Sequence, residues 1–342
     1  MLEDILKFQQ KIVPELIGLL KKRYDILRTI YYNQPVGRRV LANSLGIGER
    51  IVRAEINFLR AQGFIEINAP GMTVTVEGEE IINKLKDFIR ELRGLSEIEK
   101  FIKDNLELKD IIIVPGDCDK DKTVVNEIGR TAANYFKSIV KDNDIIALTG
   151  GSTVKAVIDN ITEASNLKNV LVVPARGGMG RNVETQANTL SAKLANKIAG
   201  TYKLLHVPDN LSDEAVKTII KEKDVKDIIK NIYNADILIY GIGRAYKMAK
   251  RRGMSEDKIG EIQLKGAVGE AFGYYFDKQG KIIYSTPSIG IKNERIGKIK
   301  TLIAVAGGSS KAEAMLAVER NNRNSILITD EGAARQIVKF IK

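Results

Sequence analysis

Three stretches of this sequence carry the groups that bind a phosphate. Thr149-Gly150-Gly151-Ser152-Thr153 follows an apolar run ending at Leu148, and Ala306-Gly307-Gly308-Ser309-Ser310-Lys311 follows another from Leu302 to Val305. Glycines let the backbone approach an oxyanion, helix-start amides point toward it, and Ser152, Thr153, Ser309 and Ser310 add hydroxyl donors. Lys311 adds a cation. In the third stretch, Pro174-Ala175-Arg176-Gly177-Gly178-Met179-Gly180, a guanidinium stands among glycines and suits an anion clamp. None has the spacing of the nucleotide P-loop, and each alone also reads as a turn between strand and helix. Two such loops brought together at strand ends would hold a doubly phosphorylated ligand.

Groups for acid–base catalysis are few. The sole histidine, His206, follows an apolar run and reads as structural, which leaves Asp236 and Glu270 as candidate bases. The single cysteine, Cys118, excludes an intrachain disulfide and a cysteine-rich zinc centre. No metal and no cofactor is expected.

A second chemistry is nucleic-acid recognition. The formal net charge is +11, which favours a polyanionic partner because Lys and Arg displace counterions from phosphates. Lys21, Lys22, Arg23, Arg28, Arg38, Arg39, Arg50, Arg53 and Arg60 crowd one short region against only Asp25, Glu49 and Glu55. Gly48, Glu49, Arg50, Arg53 and Asn57 fall on or near the exposed N-terminal face of one helix, the part that enters a major groove. Arg53 is the first candidate for a base contact, with Arg38 and Arg39 on the same basic surface. A basic bundle that binds protein is the alternative.

These groups need elements to position them. Helices are predicted over 21–32, 36–45 and 48–62, with Gly46 taking a positive φ at the tight corner of a helix-turn-helix. Val40, Leu41, Leu45, Ile47, Val52, Ile56 and Leu59 can close its core. FIEIN and MTVTVEG flank Ala69-Pro70-Gly71 as the strands of a wing. Ile81, Ile82, Leu85, Phe88, Ile89, Leu92 and Leu95 then recur at three- and four-residue steps, a helical stripe that is either a connector or a dimer seam.

From Leu106 onward IIIVPGD, IIALTGGST, VLVVPARGG, YKLLHVP, ILIYGIG, LIAVAGGSS and ILITDEGAA alternate with amphipathic stretches. This is the pattern of a parallel sheet covered by helices on both faces. The glycines of Gly241-Ile242-Gly243 read as a strand-end turn rather than a ligand contact. The fold class is therefore α/β: an N-terminal winged helix-turn-helix over 1–90, a helical linker over 91–105, and a large doubly wound, Rossmann-like domain over 106–342. No apolar run is long enough to span a membrane, and a soluble, cytoplasmic protein is expected.

Together PVGRRVLANSLGIGER, GMTVTVEG, ALTGGST, VPARGGMG, QANT, EAFGYYF, VAGGSSKAEA and TDEGAA are similar to stretches of the SorC-type sugar-binding transcriptional regulators, along almost the whole chain. The resemblance implies a repressor of glycolytic genes that binds double-stranded operator DNA, a sugar-phosphate-isomerase-type effector domain, and assembly into a homodimer or homotetramer. It also implies fructose 1,6-bisphosphate or a related sugar phosphate as effector, held by Ser152, Thr153, Arg176, Gln186 of QANT, Arg251, Glu270 of EAFGYYF and Lys311. The cations would meet phosphate, and Glu270 would face sugar hydroxyls, because a carboxylate repels a phosphate. Tyr274, Tyr275 and Phe276 read as core. Two other classes stay open: a sugar-phosphate isomerase-like enzyme with an accessory DNA-binding domain, and an architectural DNA-binding protein whose second domain only oligomerises.

Overall fold

The computed structural model describes residues 12–163, 167–178, 182–207 and 211–342. The first part of the domain expected over 1–90, residues 1–11, and Met179 and Gly180 of the arginine loop lie outside them. The chain divides into two compact units, Met1–Glu97 with Lys120–Thr123, and Ile98–Asp119 with Val124–Lys342.

The first unit opens with α1 (Pro14–Asn33), α2 (Arg38–Leu45) and α3 (Glu49–Ala61). Gly46 ends α2 with φ +65 and turns the chain steeply into α3, a conformation open to glycine without a side-chain clash. Leu41, Val52, Ile56 and Leu59 interlock with Tyr24, Ile26, Leu27 and Ile30 of α1. Val40, expected in this core, is 57% exposed. The wing is the antiparallel pair β1 (Ile65–Asn68) and β2 (Gly71–Val74), and Val36 bridges to Met72 beside it. β2 is shorter than MTVTVEG suggested. Thr75 Oγ1 accepts from Gly78 N at 3.1 Å and starts α4 (Val76–Leu92), so the last three residues of that stretch are helical.

The apolar stripe through Leu95 does not form one helix. Arg93 and Gly94, the latter at φ +64, separate α4 from α5 (Leu95–Leu106). Two cations fix the end of α4: Arg93 Nη2 donates to both carboxylate oxygens of Asp25 at 2.6 and 2.7 Å, and Lys21 Nζ donates to Leu92 O at 2.9 Å. Positive charge at a helix C-terminus is favoured by the helix dipole.

The second unit is built on a seven-stranded, all-parallel sheet. Its strands are β3 (Asp110–Val114), β4 (Ile145–Leu148), β5 (Leu171–Pro174), β6 (Thr201–Tyr202), β7 (Ile237–Gly241), β12 (Thr301–Val305) and β13 (Ser325–Asp330), in spatial order β3-β13-β12-β7-β4-β5-β6. Ile146, Leu148, Ile237, Ile239, Ile303, Val305, Ile326 and Ile328 pack on one face against α6 (Val124–Ile139), α7 (Ser152–Asn160) and α8 (Ala187–Lys197). The residues between them, Ala147, Leu238, Tyr240, Ala304 and Leu327, are equally buried on the other face. Burial on both faces is why these strands read as continuous apolar runs. Of the YKLLHVP run, residues 204–207 form no strand, since β6 stops at Tyr202, and Pro208 lies outside the described residues.

A smaller antiparallel sheet, β11-β10-β9-β8, follows β7 almost directly. It comprises β8 (Gly243–Arg244), β9 (Ala267–Ala271), β10 (Tyr274–Asp277) and β11 (Ile282–Ser285). Between β8 and β9 lie α11 (Ala245–Arg251) and α12 (Glu256–Leu264), and earlier in the chain α9 (Asp213–Ile219) and α10 (Lys223–Tyr233) precede β7. After β12 the chain forms α14 (Ala312–Glu319), after β13 α15 (Glu331–Ile341), and the short α13 (Asn293–Ile296) precedes β12. Tyr275 and Phe276 are buried and Tyr274 half-buried.

Candidate functional site

The strand order reverses between β4 and β7: from β4 the chain moves outward through β5 and β6, and from β7 outward through β12 and β13. In an open parallel sheet the crevice at such a reversal, at the carboxyl ends of the strands, is where ligands bind. A cavity of about 150 Å³ lies there, lined by Thr149 to Thr153 after β4, Arg176 and Gly177 after β5, and Gly241, Ile242 and Gly243 after β7.

The loop after β4 is shaped by contacts that glycine allows. A Cβ on Gly150 would lie 2.5 Å from Thr185 O, and Gly151, at φ +128, donates its N–H to Thr185 O at 2.9 Å. The first intrahelical bond of α7 runs from Lys155 N to Gly151 O, and no side chain caps the helix. The amides of Ser152, Thr153 and Val154 are thus the uncapped positive end of a helix at the cavity wall. Arg176 is fixed through its neighbours: Ala175 N donates to Leu148 O, Ile291 N to Ala175 O, and Gly177 N to Ile289 O.

Among the described residues Glu270 is the only carboxylate on the lining, against Arg176, Arg244, Lys247, Arg251, Arg252 and Lys311. Its Oε1 accepts from Arg252 Nη2 and from Gly273 N at 2.7 Å, and stands 4.0 Å from Arg176 Nη1. All three charged side chains are buried. One oxygen of Glu270 thus already receives a guanidinium and an amide, and of its two oxygens Oε2 is the one left for a sugar hydroxyl. Glu270 holds two arginines at the cavity floor, and the exposed Arg244, Lys247 and Arg251 ring its mouth.

The second glycine loop is arranged otherwise than its sequence suggested. Gly308 N donates to Asp330 Oδ2 at 2.6 Å, Ser309 N to Asp117 Oδ1 at 3.2 Å, and Ser310 N to Asp119 Oδ2 at 2.7 Å. The chain's own carboxylates occupy the amides that a phosphate would use. Gly307, Gly308, Ser309 and Ser310 do not line the cavity, and of this loop only Lys311 does. Burial pushes the Lys311 amine down, while Cys118, Asp119 and Asp330 beside it pull the other way. Burial, and then the Asp330 carboxylate beside it, pushes the Cys118 thiol far up.

Gly150, Gly151, Ser152, Thr153, Arg176, Gln186, Arg251, Glu270 and Lys311 therefore meet around one cavity. Gly241 and Gly243, read as turn residues, line it too. Arg244, Lys247, Arg252 and Phe272 were missed. Arg244 had a signal, its place directly after the strand-end Gly243, whereas Arg252 sits beside Arg251 in a basic run with nothing to mark it as buried. The catalytic candidates are elsewhere or engaged. His206 is exposed and off the lining. Asp236, at the opposite end of β7, accepts from Ile145 N and Lys300 Nζ. Among the described residues no cluster of ligating side chains could hold a metal ion, and no helix is long and apolar enough to cross a membrane.

In the first unit, Arg38, Arg39, Gly48, Glu49, Arg50, Arg53 and Asn57 are exposed, with Arg50, Arg53 and Asn57 at helical spacing along α3. Arg39 Nε lies 3.6 Å from Glu49 Oε1. Glu55 turns inward and accepts from Lys22 and Arg23 at 2.8 Å each. Burial alone would raise its carboxyl, but those two cations outweigh it and hold it below the usual value. Glu55 thus subtracts little from the basic outer face.

Comparison with known proteins agrees with both halves. The family model described as "Putative sugar-binding domain" matches residues 90–339, and the CggR N-terminal DNA binding domain matches residues 19–89. The chain is 43% identical over 338 residues, 99% of each chain, to a central glycolytic genes regulator of Bacillus subtilis (strain 168). Its fold matches the crystal structure of a SorC family transcriptional regulator from Enterococcus faecalis with TM-score 0.66 and 37% identity, covering 71% of this chain and 99% of that one. The full-length sorbitol operon regulator SorC of Klebsiella pneumoniae aligns over 96% of this chain and 100% of its own with TM-score 0.64; at 18% identity it speaks for the fold alone.

Proposed function

Because this chain belongs to the SorC-type sugar-binding transcriptional regulators, in the branch of the central glycolytic genes regulators, we propose that it represses glycolytic genes under the control of a phosphorylated sugar. The observation that carries this reading is the charge of the cavity: among the described residues six cations face one carboxylate beside an uncapped helix start, a setting suited to a multiply charged anion. Fructose 1,6-bisphosphate fits that charge better than a monophosphate. Ser152, Thr153 and the α7 amides receive one phosphate, Arg176, Arg251 and Lys311 supply charge, and Gln186 supplies a directed donor. Operator DNA is bound by α3, with Arg53 reading a base and Arg38, Arg39 and Arg50 on phosphates; Gly48, Glu49 and Asn57 complete the face.

The repressor acts in the cytoplasm as a homodimer or homotetramer. Effector weakens operator binding only through unequal affinity for the DNA-competent and DNA-incompetent arrangements, since a ligand bound equally by both shifts nothing. Calorimetry with fructose 1,6-bisphosphate, fructose 6-phosphate, glucose 6-phosphate and dihydroxyacetone phosphate tests the effector. The bisphosphate is expected to bind tightest, and a monophosphate that binds tighter would overturn that choice. Fluorescence anisotropy on operator and unrelated duplex tests the DNA face: Arg53→Ala should lose affinity chiefly on operator, and affinity unchanged from wild type on both duplexes would remove Arg53 from the contact set.

A further inference from the structure

The turn between β9 and β10 consists of Phe272 and Gly273, at φ +58 and +91. A two-residue turn with both φ values positive favours Asn-Gly, and a bulky side chain in the left-handed region is rare. Gly273 is required by its surroundings, because a Cβ there would lie 2.5 Å from Arg176 Nη1. Phe272 is not what the turn geometry would select, and an outlier of this kind points to a task for the side chain.

The Phe272 ring is buried and tilts against Tyr240 with centroids 4.6 Å apart. It lines the effector cavity and two others: one of about 580 Å³ beside Tyr233, Tyr274 and Lys292, and one of about 290 Å³ beside Phe276 and Asn322. No other described residue is common to any two of these linings.

We propose that Phe272 is the partition that limits the effector cavity to a single phosphorylated sugar ring, and so sets ligand length. The proposal rests on the sugar-phosphate reading of that cavity. The larger of these two neighbours presents Ser285, Thr286, Ser288 and Lys292 on its lining, groups that hydrogen-bond sugar hydroxyls. With the ring gone, a second sugar finds both space and partners there.

Phe272→Asn is the decisive variant, because Asn suits the left-handed turn while removing the ring; Phe272→Leu is a partial one. Thermal melting establishes that each is folded, and calorimetry compares fructose 1,6-bisphosphate, glucose 6-phosphate and the disaccharide trehalose 6-phosphate. The wild type should prefer the monosaccharide phosphates, and Phe272→Asn should gain about tenfold or more for trehalose 6-phosphate, with Phe272→Leu between them. A folded Phe272→Asn that keeps its monosaccharide affinity and gains nothing overturns the partition, as does a wild type that already takes the disaccharide equally well. A crystal structure of the variant decides independently of any sugar. One continuous cavity is expected, and separate cavities overturn the proposal even where the wild type binds none of the three ligands, an outcome that by itself would sink only the sugar-phosphate reading.

Discussion

Arg252 and Glu270 form an ion pair with almost no access to water, so removing Arg252 leaves Glu270 charged and buried with only the more distant Arg176, 4.0 Å away, to offset it. Arg252→Leu should lower stability by about 3 kcal/mol, the low end for a broken buried pair because Arg176 stays 4.0 Å from Glu270, read by urea unfolding at neutral pH, and adding Glu270→Gln should restore part of it. Equal losses in the single and double variants would show that packing, and not charge, sets the effect. A second residue-scale prediction concerns Glu319. It is fully buried and accepts from Tyr240 Oη at 2.7 Å. Burial pushes its carboxyl from 4.5 to about 7, against hydrogen bonds from Ser325, Tyr240 and Asn322 that pull it down. Between those values the native state holds a proton that the unfolded chain has released, so this contribution is complete below pH 4.5 and lost as pH rises through about 7. Glu319→Gln should flatten the dependence; melting temperatures between pH 5 and 8 that run parallel for both proteins would refute it. Which residues were legible followed their surroundings in sequence. Arg176 announces itself among glycines at a strand end, whereas Arg252, Glu319 and the inward turn of Glu55 depend on partners distant along the chain.

At the scale of elements, sequence reading succeeds where one local rule decides. Gly46 at the helix-turn-helix corner and the buried strands of the parallel sheet are of that kind. It fails where two rules compete. The stretch MTVTVEG alternates like a strand, yet Thr75 caps a helix and ends the strand at Val74. The stripe through Leu95 has helical period, but Gly94 adopts a left-handed φ and divides it. Thr75→Ala should therefore destabilise the N-terminal unit by about 1 kcal/mol, while Thr75→Ser stays close to wild type; thermal unfolding of the first unit measures both. The second glycine loop shows a third limit. Its composition is that of an anion site, but nothing local reveals that Asp117, Asp119 and Asp330 arrive from other segments to satisfy its amides.

For the whole molecule, the proposed control of DNA binding by a sugar phosphate is a coupling free energy and must act in both directions. If fructose 1,6-bisphosphate weakens operator binding by some factor, saturating operator must weaken effector binding by the same factor, which paired calorimetric titrations with and without operator will measure. Effector at about one hundred times its Kd should also raise the stability of the effector unit by about 2.7 kcal/mol. Fold class and the division into a basic helical part and a parallel-sheet part were legible at this scale because charge and hydrophobic period differ between them, whereas the sugar ligand entered only with the family resemblance. The topology of the sheet has one more consequence. β3, the first of its parallel strands in the chain, pairs only with β13, the last. On the ribosome β3 must wait without its neighbour until nearly all of the domain has been translated, whereas the winged helix closes its core from contiguous residues. Such non-local closure is slow and leaves intermediates with open strand edges. During synthesis the DNA-binding unit is thus able to fold before the sugar-binding unit exists, and a prematurely terminated chain would carry the first without the second.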